Sequence, residues 1–469
     1  MPEALPVRYR RADAYGKRDA AYFHPIEAAS PAEIRALQNK GLIRQLAYLK
    51  ARSPFYQRKF AEAGATFADI RSLDDLHKAP FTVKDELRQS LKAAPPFGAH
   101  QAAARDDIIQ MQASSGTTGS PSYVALTERD VWAWNEMSAR GFFAGGIRPG
   151  DLVLHGFSLS KGFVGGVPIV SALQYMGAID IPVGADGGID RLLVAARDLR
   201  PRAIVGTPNF LLYLAGQARA SIGGDARELG VERLIVGGEP GGGIPSLRAQ
   251  LHNAWGAKVT ELMGGTDLGV IYWGECDAQD GMHFQCPDHI IVELIDPESG
   301  RPIEIKQDAV GELVYTAIGR QASPVFRFRS GDHVVVTGTS CGCGRTGFKI
   351  RCFGRTDDML IVRGVNVFPS AIQDIVVAMQ PRTNGVMRVL ADFEGHTTQA
   401  NLKLFVERGF GQDPGGDGPL ARDIEARLRN TLSFKADVAI VPPETFEKPG
   451  VKKVTLTLRR WPENVQRRS

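Results

Sequence analysis

The chain has 469 residues, 43% hydrophobic and 23% charged, with a net charge of +4; that length exceeds one ordinary core, so two or three domains are expected. The mild positive balance suits small anionic substrates and argues against nucleic acid as a partner. No run of eighteen apolar residues marks a membrane span, the start Met1-Pro2-Glu3-Ala4-Leu5-Pro6 lacks the layout of a signal peptide, and five cysteines, an odd number, point to a reducing, cytoplasmic setting rather than a disulfide framework.

Ser30-Pro31-Ala32-Glu33 is a capping box with proline at the first helical position. Ile34, Leu37, Leu42, Leu46 and Leu49 follow at helical spacing, and Ser53-Pro54-Phe55-Tyr56 ends that helix. Ser72–Leu76 and Pro80-Phe81-Thr82-Val83-Lys84 read as loop and short helices with no evident chemistry. Ile108–Gln112 and Ser122–Leu126 read as two strands around Ser114-Ser115-Gly116-Thr117-Thr118-Gly119-Ser120-Pro121. Alone, such a cluster reads as a polar surface hairpin. Its glycines and hydroxyls also suit a loop that closes over an anion. It lacks the Gly-Lys-Ser/Thr ending of a Walker loop.

From Asp151 the pattern changes. Leu152–Leu154, Ala178–Ile181, Ala203–Val205 and Leu234–Val236 are short apolar strands, separated by helical stripes such as Leu192, Leu193, Ala196 and Leu199. This alternation predicts a mostly parallel, covered sheet. Ligands of such sheets bind beyond the carboxyl ends of the strands. Three strands run into His155-Gly156-Phe157, Gly206-Thr207-Pro208 and Gly237-Gly238-Glu239-Pro240. Asp267, in Gly264-Gly265-Thr266-Asp267, offers a hard oxygen to a cation.

Cys276, His283 and Cys286 are followed by Cys341-Gly342-Cys343, a donor set with spacing that suits a closed tetrahedral zinc site. Cys276, His283, Cys341 and Cys343 are the favoured ligands, with Cys286 the competing one; Cys352 reads as core. Asp332 ends Arg327-Phe328-Arg329-Ser330-Gly331-Asp332, and one carboxylate can accept two hydroxyl hydrogen bonds. Met359–Val362 reads as a strand, and Ser370 as the cap of a helix carrying Ile372, Ile375, Val376 and Met379. A strand (Leu402, Leu404, Val406), a helix (Leu420, Ile424, Leu428, Leu432) and a strand (Val438–Val441) complete a small α+β domain.

Ser114–Pro121 resembles the S-S-G-T-T-G-K-P phosphate loop of the acyl-adenylate-forming (ANL) superfamily, with Ser120 where the family has lysine. The Pro-Phe-Tyr, leucine/aspartate and Pro-Phe-Thr-x-Lys stretches before the loop sharpen the resemblance to the phenylacetate–CoA ligase branch, and Gly-Gly-Thr-Asp, Arg-Phe-Arg-x-x-Asp and Gly354-Arg355-Thr356-Asp357-Asp358 through Pro369 resemble further motifs of the superfamily. It runs from about Ser30 to Arg460. The resemblance implies an α/β fold with a large N-terminal domain, residues 1–353, and a small mobile α+β domain, residues 354–469.

It also implies roles. Ser114, Ser115, Gly116, Thr117, Thr118 and Gly119 would hold phosphate, and Gly238, Glu239 and Pro240 would lie beside adenine. Thr266 would contact phosphate and Asp267 would help hold magnesium. Asp332 would bind the ribose hydroxyls and Arg355 ribose or phosphate. The Phe157–Gly166 segment, including Lys161 and Gly162, would follow the acyl group, with Met263 and Gly264 beside it and Phe163 and Tyr175 as further apolar lining. Asp357 would be the hinge. Lys452 would be the adenylation lysine, with Lys453 and Lys448 as alternatives. Similar cysteine and histidine positions occur in part of this branch, so a structural zinc is compatible.

The activity implied is an AMP-forming ligation of an aromatic acid to coenzyme A, using ATP and magnesium, without nucleic acid or membrane partners; the sequence leaves a homodimer open. Two alternatives stand beside it: an adenylate former that passes the acyl group to a carrier-protein thiol or an amine, and a degenerate binder of nucleotide or aryl acid.

Overall fold

The computed structural model describes residues 17–114, 122–160, 162–356, 358–446 and 456–460. The chain divides into two compact units. One comprises Met1–Gly243, Leu251–Ser330 and Val334–Arg351; the other comprises Ile244–Gln250, Gly331–His333 and Cys352–Ser469.

The capping box forms as the sequence predicts. Ser30 N donates to Glu33 Oε2 at 2.8 Å and Glu33 N to Ser30 Oγ at 3.3 Å, opening the helix Pro31–Arg52. Ile108–Ala113 and Tyr123–Thr127 pair antiparallel. Their junction is closed by Ser114 N to Ser122 O at 2.8 Å and Ser122 N to Ser114 Oγ at 2.9 Å.

A twelve-stranded sheet has one purely parallel half, in the order Lys258–Gly265, Arg233–Val236, Ala203–Gly206, Leu152–His155, Ile179–Ile181. One face of these strands supplies Leu154, Ile204, Leu234, Val236 and Val259. Against them pack Leu192, Leu193, Ala196, Phe210, Leu211, Leu214, Leu251 and Trp255 from three helices. Each fully buried Leu or Ile contributes about 1.5–3 kcal/mol, so Leu234→Ala costs about 2–5 kcal/mol. The predicted helical stripe ends differently: Leu199, last in Ile189–Leu199, is 49% exposed.

The other half of the sheet holds the antiparallel pairs of Gly269–Glu275 with Lys258–Gly265 and with Met282–Phe284, and of Ile290–Ile295 with Val310–Ala317. The sequence pattern did not show this half. Its strands are joined by hairpins rather than helices, so the strand–helix alternation stops at Lys258.

In the second unit, Leu402–Arg408 lies between Ala436–Val441 and Thr383–Leu390 in a four-stranded sheet. The helices Pro369–Val377 and Asp417–Leu432 bury Ile372, Val376, Leu420, Ile424 and Leu428 against Leu402, Leu404 and Val406. Two local expectations are corrected. The cap of the first helix is Phe368, since Pro369 already fits the first helical position. Ser370 Oγ instead donates to Phe353 O at 2.7 Å. Cys352 is only partly buried, with its Sγ 3.6 Å from Gly354 O.

Candidate active site

The carboxyl ends of the parallel strands carry the residues singled out in the sequence. Phe157 follows Leu152–His155, Thr207 follows Ala203–Gly206, Gly238-Glu239-Pro240 follows Arg233–Val236, and Thr266-Asp267 turns out of Lys258–Gly265. Parallel connectivity places all four ends on one edge of the sheet, where such folds bind ligands. Two of these turns are shaped by close backbone approach. A Cβ on Gly264 would stand 1.8 Å from Val270 O, and one on Gly237 2.7 Å from Leu262 O. Gly238, with φ +84°, lies next to the Phe157 ring. Glu239 Oε1 accepts from Asn209 N at 3.1 Å and Asn209 Nδ2 at 3.0 Å, tying two strand ends together. Met263 is half-buried, whereas Tyr175 is buried, 6.2 Å ring to ring from Phe23.

Thr266 is buried, and Asp267 is held by a cation that sequence reasoning missed. Lys84 Nζ is 2.5 Å from Asp267 Oδ2, with side-chain exposures of 28% and 15%. Its position is built from the Pro-Phe-Thr stretch. Thr82 N donates to Arg327 O at 3.0 Å, Arg329 N to Thr82 O at 2.9 Å, and Thr82 Oγ1 to Phe326 O at 2.7 Å. The helix Lys84–Ala93 starts from that anchor. Arg327 itself is committed to Glu293, with Nη2 at 3.0 Å from Oε1, and to the carbonyls of His77 and Ala79.

Gly162 O accepts from Ala113 N at 2.8 Å. In the second unit, Arg355 Nη1 is 2.7 Å from Asp332 Oδ1, so these two predicted nucleotide-binding residues are brought together as an ion pair. Ser115, Gly116, Thr117, Thr118, Gly119, Lys161, Asp357, Lys448, Lys452 and Lys453 lie outside the described residues.

The cysteine and histidine donors also converge. One ligand atom each from Cys276, His283, Cys341 and Cys343 lies within 4.8 Å of the other three. Cys276 Sγ and Cys341 Sγ are 3.7 Å apart, and Cys343 Sγ is 3.6 Å from His283 Nε2. His283 Nδ1 donates to Gly347 O at 2.9 Å, which leaves Nε2 as the facing acceptor. Burial lowers His283 to about 4, so its imidazole is neutral. Cys286 is not one of the four; it is fully buried, which pushes its thiol well above its ordinary value.

His24, Glu136 and Asp288 form a second cluster. Here the carboxylates serve Arg140, which donates to Asp288 at 2.6 and 2.7 Å and to Glu136 at 2.8 Å. Burial opposes ionisation of Glu136, but the His289 hydrogen bond and Arg140 bring it to about 2; Asp288 is likewise held well below the usual carboxylate range. This is a buried ion network rather than an open ligand set.

Residues 46–319 match the AMP-binding enzyme family, and residues 364–460 match the AMP-binding enzyme C-terminal domain. The chain belongs to the AMP-binding enzyme family. This AMP-binding enzyme is 33% identical to phenylacetate-coenzyme A ligase of Thermus thermophilus, over 92% of this chain and 96% of that protein. It is 34% identical to the Escherichia coli phenylacetate-coenzyme A ligase, over 89% and 93%. A crystal structure of 2-hydroxyisobutyryl-CoA ligase, in the postadenylation state with R3-HIB-AMP, superposes with a TM-score of 0.87 at 27% identity, covering 100% of this chain and 97% of that one. Among the described residues no helix is long and apolar enough to cross a membrane.

Proposed function

We propose that this AMP-forming acid–thiol ligase takes an aromatic carboxylic acid. In the first half-reaction a carboxylate oxygen attacks the α-phosphorus of ATP and pyrophosphate leaves. In the second the thiol of coenzyme A loses its proton, attacks the acyl carbon and expels AMP. The carboxylate is a poor electrophile, and the adenylate gives it a leaving group.

The observation that carries the proposal is the gathering of Phe157, Gly238-Glu239 and Thr266-Asp267 on one sheet edge. Phe157 is an apolar wall for the acid, and Gly238 leaves room for a flat base. Thr266 offers a hydroxyl to phosphate. Asp267 suits a magnesium ion held mainly by phosphate oxygens; that ion would neutralise phosphate charge. Lys84 adds a positive charge on the same carboxylate. Lys452 is the proposed cation for the charge that develops as pyrophosphate departs, and Asp332 with Arg355 the proposed ribose partners.

The four-donor cluster fits zinc. Zinc bonds of about 2.0–2.3 Å set tetrahedral edges of about 3.5–3.8 Å, and the two separations of 3.7 and 3.6 Å match them. With four protein ligands the site is closed, so the metal would staple the 341–343 loop to the strand end at Cys276 and would do no chemistry.

The test is ATP–pyrophosphate exchange across a panel of aryl and aliphatic acids. Exchange should depend on the acid and be fastest with an aryl acid. A clear preference for short aliphatic acids would refute the aromatic assignment.

A further inference from the structure

The turn after Ile179–Ile181 runs beside the stretch that leads into the acyl-side segment. Gly184 N donates to His155 O at 3.0 Å and Ala185 N to Phe157 O at 2.9 Å. Where this backbone pairing stops, a side chain continues it. Asp186 Oδ2 accepts from Ser158 Oγ at 2.7 Å, Leu159 N at 2.8 Å and Ser160 N at 3.0 Å. Two successive amides and a hydroxyl thus converge on one anionic oxygen, and hydrogen bonds to an ionised acceptor are the stronger kind. Burial disfavours the charged form, yet the bonds from Ser158, Ser160 and Leu159 hold the carboxyl below its ordinary range.

The far side of the segment is pinned as well. Gly162 O accepts from Ala113 N at 2.8 Å, and Phe163 bridges Ala113. The segment is tightly folded: a Cβ on Gly166 would stand 2.9 Å from Ser158 O and 3.2 Å from Leu159 Cα. A Cβ on Gly184 would stand 2.8 Å from Leu159 Cγ. Asp186 is itself exposed, so its hydrogen bonds add little to a core; their effect is to fix the course of three residues next to Phe157.

We propose that Asp186 is a positioning residue for the carboxylic acid substrate, holding Ser158–Ser160 so that the backbone next to Phe157 keeps its course. This rests on the ligase reading above. It assigns Asp186 to the acid rather than to ATP.

The test compares Asp186→Ala and Asp186→Asn in the full chain. Asn keeps a carboxamide oxygen where Oδ2 lies, so it retains the acceptor and loses the charge. The expected result for Asp186→Ala is a rise of about tenfold in KM for the acid, the scale of one lost charge-assisted hydrogen bond, with KM for ATP within about twofold. Asp186→Asn should recover most of that loss. Hydrogen exchange without substrates gives a second readout: the Leu159 and Ser160 amides should exchange faster in Asp186→Ala and stay protected in Asp186→Asn. Equal rises in both KM values, or unchanged exchange at these amides, would overturn the proposal. Absence of acid-dependent AMP in the wild type would instead overturn the ligase reading, and the exchange data would still decide whether Asp186 holds the segment.

Discussion

Lys84 Nζ sits 2.5 Å from Asp267 Oδ2, across 183 residues of sequence. An ammonium on the proposed magnesium ligand orients that carboxylate and adds positive charge where phosphate is expected. Outer-shell partners of this kind typically cost about 10–100-fold when removed. Lys84→Met should therefore lower acid-dependent AMP release by about that factor and shift its magnesium dependence. Lys84→Arg should retain more activity. Unchanged magnesium dependence in Lys84→Met would show that the pair serves packing only.

The Cys276–His283–Cys341–Cys343 cluster predicts about one zinc per chain by metal analysis. Because metal binding energy is folding energy, stringent chelation should lower the melting temperature, and zinc should restore it. Cys276→Ser should abolish the bound metal, whereas Cys286→Ser should leave it in place. A metal-free protein with unchanged melting after chelation would contradict the site.

Arg140 faces the buried Glu136 and the half-buried Asp288. Removing it takes away their guanidinium and leaves them the His289 imidazole, 3.3 Å from Glu136 and 3.6 Å from Asp288, so Arg140→Met should cost about 3–5 kcal/mol at neutral pH. The pH dependence has a definite sign. Glu136 titrates near 2 when folded against an ordinary 4.5, so its stabilisation is complete above about pH 5 and is lost as pH falls toward 2. Asp288, also depressed, acts in the same direction. Denaturant midpoints across pH 2–8 should show this acid loss in the wild type and a smaller one in Arg140→Met. Identical pH slopes would contradict the assignment.

Asp332 and Lys452 are separable by half-reaction. Asp332→Ala should raise KM for ATP. Lys452→Ala should block adenylation yet leave thioester formation from supplied acyl-adenylate intact. Normal adenylation by Lys452→Ala would move that role to Lys453 or Lys448.

What the sequence showed and what it hid follow from locality. Leu152–Leu154, Ala203–Val205 and Leu234–Val236 are covered strands, so each reads as a short apolar run that ends in glycine; the strand ends at Phe157 and Gly238 were legible for that reason. The favoured Cys/His set, Cys276, His283, Cys341 and Cys343, was legible from donor type and spacing, and the fold brings those four together without the competing Cys286. Lys84 was not legible, because its contact with Asp267 depends on Thr82 docking along Phe326–Arg329. Asp186 was equally hidden: a lone acid in a glycine-rich turn shows its role only when Ser158–Ser160 lie against it. The antiparallel half of the sheet was missed because no helices punctuate it and strands such as Gly269–Glu275 and Val310–Ala317 are buried nearly throughout, so no apolar–polar alternation marks them.

The proposed reaction joins an aromatic acid to coenzyme A through an adenylate. The most direct measurement is mass spectrometry of the purified protein incubated with magnesium, ATP, coenzyme A and a mixed pool of aryl acids, with AMP quantified beside the products. One dominant aryl-CoA with an equal amount of AMP is expected. AMP or a trappable acyl group without aryl-CoA, or no product from any aryl acid, would contradict it.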